Sequence, residues 1–195
     1  VAFKVTSNCW HGFKAYEGIE GSTTGAQNTA IGTSSLQSTT TGGNNTAVGY
    51  QSMYANTTGA LNAALGRESL FKNTTGSQNT GCGTYTLYEN TTGQENTAVG
   101  YEALGKAVTA SYNTAVGARA LDANTSGTSN VAVGQSALTS NTTASNCTAL
   151  GLGALAANTT GDQNTAVGAN ALDANSTGVG NTAIGYDSLT TNSTA

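Results

Sequence analysis

Between residues 22 and 191 the chain repeats itself every 17 residues, ten times over, with no insertion or deletion. Residues 158–174 give the unit as Asn-Thr-Thr-Gly-Asp-Gln-Asn-Thr-Ala-Val-Gly-Ala-Asn-Ala-Leu-Asp-Ala, and residues 192–195 begin an eleventh copy. A fixed period of this length is the mark of a stacked repeat architecture, in which each unit buries its apolar face only against its neighbours. Whatever the chain folds into must place residue n above residue n + 17.

Taking Asn158 as position 1 of the unit, position 15 is Leu in nine copies and Met53 in the other, and position 11 is Gly throughout. Position 10 is an aliphatic residue in every copy but one, where it is Cys82. Position 7 is Asn except at Cys147, position 4 is Gly except at Ala110 and Ala144, and position 14 is Ser, Thr or Ala. From Arg67 onward every charged residue falls at positions 5, 6, 12, 13, 16 or 17. Burying an unpaired charge is costly, so the charge-free columns are expected to face a core or a stacked turn. This predicts a structural core built from Leu104, Leu121 and Leu138 at position 15 with Val99, Val116 and Val133 at position 10. Cys82 is expected to be a small buried apolar residue of the same column.

Helical repeats need a longer unit and better helix formers than Asn, Thr and Gly. Two short strands per unit, at about positions 7–10 and 13–16, separated by Gly and Asn turns, fit instead. The predicted fold is therefore all-β: a β-solenoid (β-roll) of ten turns, one turn per repeat. At the ~4.8 Å spacing of neighbouring strands the rod would be about 48 Å long. The Asn at position 7 is expected to form a ladder of side-chain amides, and the glycines at positions 11 and 4 to supply corners with positive φ.

Residues 1–21 diverge from the unit. They carry the only Trp and His, and Asn8, Gly12 and Ala15 keep the spacing of positions 7, 11 and 14, which suggests a degenerate first turn or cap. His11 beside Cys9 has no third ligand at a metal-binding spacing, so no metal or cofactor site is expected. A single disulfide among Cys9, Cys82 and Cys147 stays open. The last complete copy is as regular as the middle ones. That leads to the expectation of a piece of a longer protein, or of an end covered by another chain, with the first turn of one subunit seated on the last turn of the next.

Charged residues make up only 8% of the chain and the net charge is −4, which gives no basic footprint for nucleic acid. No apolar run approaches the ~20 residues of a membrane span. One His, scattered carboxylates and no nucleophile that breaks the pattern leave no catalytic constellation, so an enzyme is not expected. Asn-x-Ser/Thr triplets are the one site-like signal. They occur at position 1 in Asn56, Asn73, Asn90, Asn124, Asn141, Asn158, Asn175 and Asn192, and at position 6 in Asn44 and Asn146. The position-1 column is read here as a candidate glycosylation edge, with Asn-Thr-Thr-Gly as a plain turn the alternative.

Residues 96–104, Asn-Thr-Ala-Val-Gly-Tyr-Glu-Ala-Leu, resemble the YadA-like head repeats of trimeric autotransporter adhesins and repeats of phage tail fibres. The resemblance implies a β-roll, an extracellular or cell- or virion-surface location, and a structural or adhesive role. The expected function is thus a structural segment of an extracellular fibre that self-associates, as an end-to-end filament or a trimer. Alternatives are an adhesin or tail-fibre shaft that binds a receptor through surface tyrosines, and an ice-binding face built on the Thr rank of position 8. That rank lacks a second Thr two residues along the strand.

Overall fold

The computed structural model describes residues 8–14 and 24–194 of the chain. It is a β-solenoid: eleven three-residue strands, from β1 (Cys9–His11) and β2 (Thr29–Ile31) to β11 (Thr182–Ile184), lie in chain order in one parallel sheet. The repeat period sets the register, so that Thr97 pairs with Thr114, Ala98 with Ala115 and Val99 with Val116. The first turn follows the same rule with three extra residues. Cys9 pairs with Thr29, the Asn28 N–H donates to Asn8 Oδ1 at 2.7 Å, and Gly12 shares the positive φ of Gly32. The degenerate first turn is therefore a true rung. The expected alignment of Ala15 lies outside the described residues.

Each turn carries one strand, at positions 8–10, and not two. Positions 13–16 form a run of turns in which positions 13 and 15 are left-handed, as in Glu102 (φ 55) and Leu104 (φ 52). Leu in this conformation costs roughly 1–2 kcal/mol, which is why the segment reads as a strand in the sequence. Complete burial of the side chain, at ~1.5–3 kcal/mol, offsets that cost in the nine turns from Leu36 to Leu172, while Leu189 on the last turn is 50% exposed. Backbone donors are still satisfied from rung to rung: Leu104 N–H donates to Ala120 O at 3.0 Å and Lys106 N–H to Asp122 O at 3.0 Å.

The core differs from expectation on one side. Leu104, Leu121 and Leu138 are fully buried, opposite the Ala column of position 9. Val99, Val116 and Val133, expected in the core, are half-exposed. Side chains alternate along a strand, so an inward Ala98 turns both Thr97 and Val99 outward. Cys82, in the same column, is likewise half-exposed and not buried.

Two further columns line the interior. At position 7 each Asn Oδ1 accepts the N–H of the next Asn, as between Asn113 and Asn96 at 3.1 Å. Its Nδ2 donates to the position-4 carbonyl one turn on, as from Asn113 to Gly127 O at 3.0 Å. The expected ladder exists, with backbone groups as its main partners. The glycines of position 11 have φ between 122 and 139, and a Cβ on Gly117 would sit 2.5 Å from Gly134 O. Those of position 4 are not left-handed. There glycine answers to close stacking, since a Cβ on Gly59 would lie 2.4 Å from Gly76 O.

Candidate functional surfaces

The sequon column lies inside the solenoid, which corrects the glycosylation reading. Asn56, Asn73, Asn90, Asn124, Asn141, Asn158 and Asn175 are all fully buried. Each amide folds back onto its own turn and onto its neighbour: Asn73 Nδ2 donates to Gly76 O at 2.9 Å and to Asn56 Oδ1 at 2.8 Å. A glycan on Nδ2 would remove these donors and would have to pass through the solenoid wall. Asn192, on the last rung, is half-buried. The two triplets outside the column, at Asn44 and Asn146, are the ones that are exposed. The signal was present in the sequence, because position 1 is one of the charge-free columns.

The outward columns of the sheet form a second surface. Thr at position 8 and Val, Ile or Leu at position 10 run side by side along the ten copies, with Ala63 and Val131 replacing two of the threonines and Cys82 one of the aliphatic residues. Leu65 is 53% exposed and Leu150 47%, values high enough to count as open apolar surface. A dip of about 420 Å³ on this face is lined by Val48, Leu65, Thr80 and Cys82, among others. The face has no charge at positions 8 and 10 of any copy, although it is not buried.

A third surface is the only strongly ionic one among the described residues, on positions 12–17 of the middle turns. Tyr54, Phe71 and Tyr88, at position 16 of consecutive turns, stack with centroids 5.3 and 5.1 Å apart. Tyr85 meets Tyr88 and Tyr101 edge-on at 5.7 and 6.2 Å. The Arg67 guanidinium lies over Tyr50 and Tyr85, 5.8 and 5.6 Å from their centroids. Lys72 pairs with Glu89 at 2.6 Å, Arg119 with Glu102 at 3.0 Å and Lys106 with Asp122 at 3.7 Å. A hydrogen bond to Glu102 raises the Tyr101 phenol pKa, and burial raises that of the Asp122 carboxyl. A cleft of about 530 Å³ opens among Tyr85, Tyr88, Gly105 and these ion pairs. In the sequence the tyrosines read as surface residues through which a receptor could bind, without a cleft to place them in. The available clue was the run Tyr54, Phe71, Tyr88 in one column, ended by Gly105.

Cys9 and His11 are exposed on the first rung, at the places of positions 8 and 10, and Cys147 is buried within the position-7 ladder. The three thiols are free. Among the described residues no group of three or more His, Cys, Asp or Glu could hold a metal ion, and no helix is long and apolar enough to cross a membrane. The fold and its faces define the class: a β-solenoid of 17-residue turns. Comparison of the chain with family models, with curated proteins and with solved structures found no match.

Proposed function

We propose that this chain is a stiff structural segment of an extracellular fibre, and that copies of it associate side by side through the Thr/Val face. One observation carries the reading: a charge-free face of Thr and aliphatic side chains runs over the ten repeat strands, β2 to β11, while remaining open to solvent. Soluble proteins rarely leave so long an apolar stripe uncovered. A second copy is the occupant that fits, since an identical rod offers a stripe of the same length, spacing and chemistry. With a length of ~48 Å and a width of ~10 Å, the face covers about 500 Å² per copy, so a pair would bury roughly 1,000 Å², near the lower bound for a specific interface. A trimer, in which each copy meets two neighbours, would bury more. The likeness of the repeat to adhesin heads and tail fibres supports the same reading, as does the regular, repeating edge that would let turns of different copies stack end to end.

Sedimentation velocity tests the proposal. The wild-type chain is expected to form a discrete oligomer, and the double variant Val99→Lys, Val116→Lys to sediment as a folded monomer. A wild-type chain that stays monomeric up to about 100 μM, well above the Kd expected for such an interface, would sink it. A variant that reduces Cys content to Cys82 alone gives the geometry: parallel, in-register association brings Cys82 of two copies together, and mild oxidation should then link them.

A further inference from the structure

The aromatic column of position 16 stops where the ionic cleft begins. Tyr54, Phe71 and Tyr88 stack ring on ring, with Phe71 and Tyr88 within 5° of parallel. Phe71 covers one face of Tyr88. On the next rung the column holds Gly105, which has no side chain to cover the other face. Gly occupies position 16 in this one turn of the ten, the others carrying Gln, Tyr, Phe, Asp, Thr or Ala.

The fold does not require that glycine. Gly105 is not in the left-handed region. A Cβ there would meet Asp122 Oδ1 at 2.7 Å, the end of a side chain that can swing, and Glu102 O at 3.3 Å. If the column served only to stack, an aromatic at 105 would extend it. The missing side chain instead leaves an open rung beside an aromatic ring, in a cleft lined by Tyr85 and by the charged side chains of Glu89, Glu102, Lys106, Arg119 and Asp122.

We propose that this cleft binds a neutral pyranose unit of a glycan, with the sugar ring stacked on Tyr88 in the rung above Gly105. The face of an aromatic ring is electronegative, and the C–H face of a pyranose presents weakly positive hydrogens to it. The edges of the same sugar carry hydroxyls that both donate and accept hydrogen bonds. The cleft offers both kinds of partner. Glu89 and Asp122 each hold their cation through one carboxylate oxygen, so the other can accept from a hydroxyl, while Glu102 is already shared between Arg119 and the Tyr101 phenol. Arg119 and Lys106 donate.

Charge selects the class of sugar. Three carboxylates, Glu89, Glu102 and Asp122, line the cleft against two cations, Lys106 and Arg119, with Lys72 neutralising Glu89 from outside it. The rim therefore has no excess positive charge and gives no advantage to a phosphate, a sialic acid or a uronic acid. The ion pairs contribute little to stability at such exposure. What they do is hold long side chains in fixed places before the ligand arrives, which lowers the entropy lost on binding. The site lies on positions 12–17, apart from the Thr/Val face of positions 8 and 10. Its failure would leave the self-association reading intact, and the reverse also holds.

Saturation-transfer difference NMR on the full chain gives the test, with methyl glycosides of glucose, galactose and mannose, and maltotetraose, as probes. At least one probe is expected to receive saturation chiefly on one ring face, with a Kd of about 1 mM for a single stacked sugar. Tyr88→Ala should abolish the transfer by removing the platform. Gly105→Phe should abolish it by extending the aromatic column into the cleft, and this variant should melt no lower than wild type. Methyl glucuronide should bind no better than methyl glucoside, and Val116→Lys should leave binding unchanged. Absence of transfer to every neutral probe at about 50 mM would overturn the proposal. So would binding that survives both Tyr88→Ala and Gly105→Phe, or saturation seen only with a nucleoside such as adenosine.

Discussion

At the level of single residues, the asparagines of position 7 show how a polar side chain can hold a core together. Each satisfies one backbone N–H and one backbone carbonyl that the narrow solenoid buries, and unsatisfied groups of that kind cost about 1–3 kcal/mol each. Cys147 breaks the pattern. Its N–H still donates to Asn130 Oδ1 at 2.9 Å and its Sγ lies 3.3 Å from Gly161 O, but a thiol is a poor acceptor for the next turn. Cys147→Asn is therefore expected to stabilise the fold by about 1 kcal/mol, a rise of a few degrees in Tm by calorimetry. Asn96→Leu, which strands the partners of a complete rung, should cost about 2–4 kcal/mol by the same measurement.

The same cysteine gives a pH prediction. Burial pushes the Cys147 thiol above its ordinary pKa, because the thiolate would lose its hydration. A folded pKa raised above the unfolded one means that the unfolded chain ionises first as pH rises. The stability that Cys147 contributes is thus complete below the ordinary thiol pKa and declines as pH climbs through the raised value. Chemical denaturation of wild type and Cys147→Ser across that alkaline window should show a steeper loss in the wild type. Equal slopes would contradict it.

Within one turn, the columns adjust to each other. Position 9 is Ala in nine copies and Gly81 in the other, where position 14 carries Thr86. A Cβ on Gly81 would lie 2.5 Å from Ser69 Oγ and 2.8 Å from Thr86 Oγ1, two hydroxyls that bond to each other at 2.7 Å. Gly81→Ala should destabilise the solenoid by about 1–3 kcal/mol through overpacking. Adding Thr86→Ala should recover most of that loss, whereas simple loss of chain flexibility would leave the double variant no better. At position 15, Leu121→Ala should cost about 2–5 kcal/mol, since a turn fixed by its neighbours cannot collapse around the cavity.

Over the whole molecule, stability is a sum over rungs. Every turn meets only the turns above and below it, as the strand order shows. Removing one or two complete turns from the C-terminal side, to residue 174 and then to residue 157, should lower the denaturation midpoint in near-equal steps. A chain that instead loses all structure at the first removal would mean that the stack folds as one indivisible unit. The rod also separates the two proposed surfaces. Positions 8 and 10 face one way along its full length, while the ionic cleft occupies only the middle turns.

The 17-residue period determined the solenoid, the parallel register and the Leu column, because identical residues can be stacked in only one register without losing their partners. Gly117 and its equivalents were legible as corners for the same reason, being invariant where the chain must turn. Which side of the wall each residue occupies was decided by the tertiary structure. Freedom from charge marks both a buried column and an open apolar one, so Val99 and Leu104 look alike in sequence although one faces out and the other in. The asparagines of position 1 look like surface turns, yet the backbone folds them inward to meet a glycine carbonyl three residues on. Leu104 itself is left-handed, a state that local preference opposes and that only the packing of neighbouring turns sustains. The cleft at Gly105 depends on side chains from three separate turns, and no single repeat contains it.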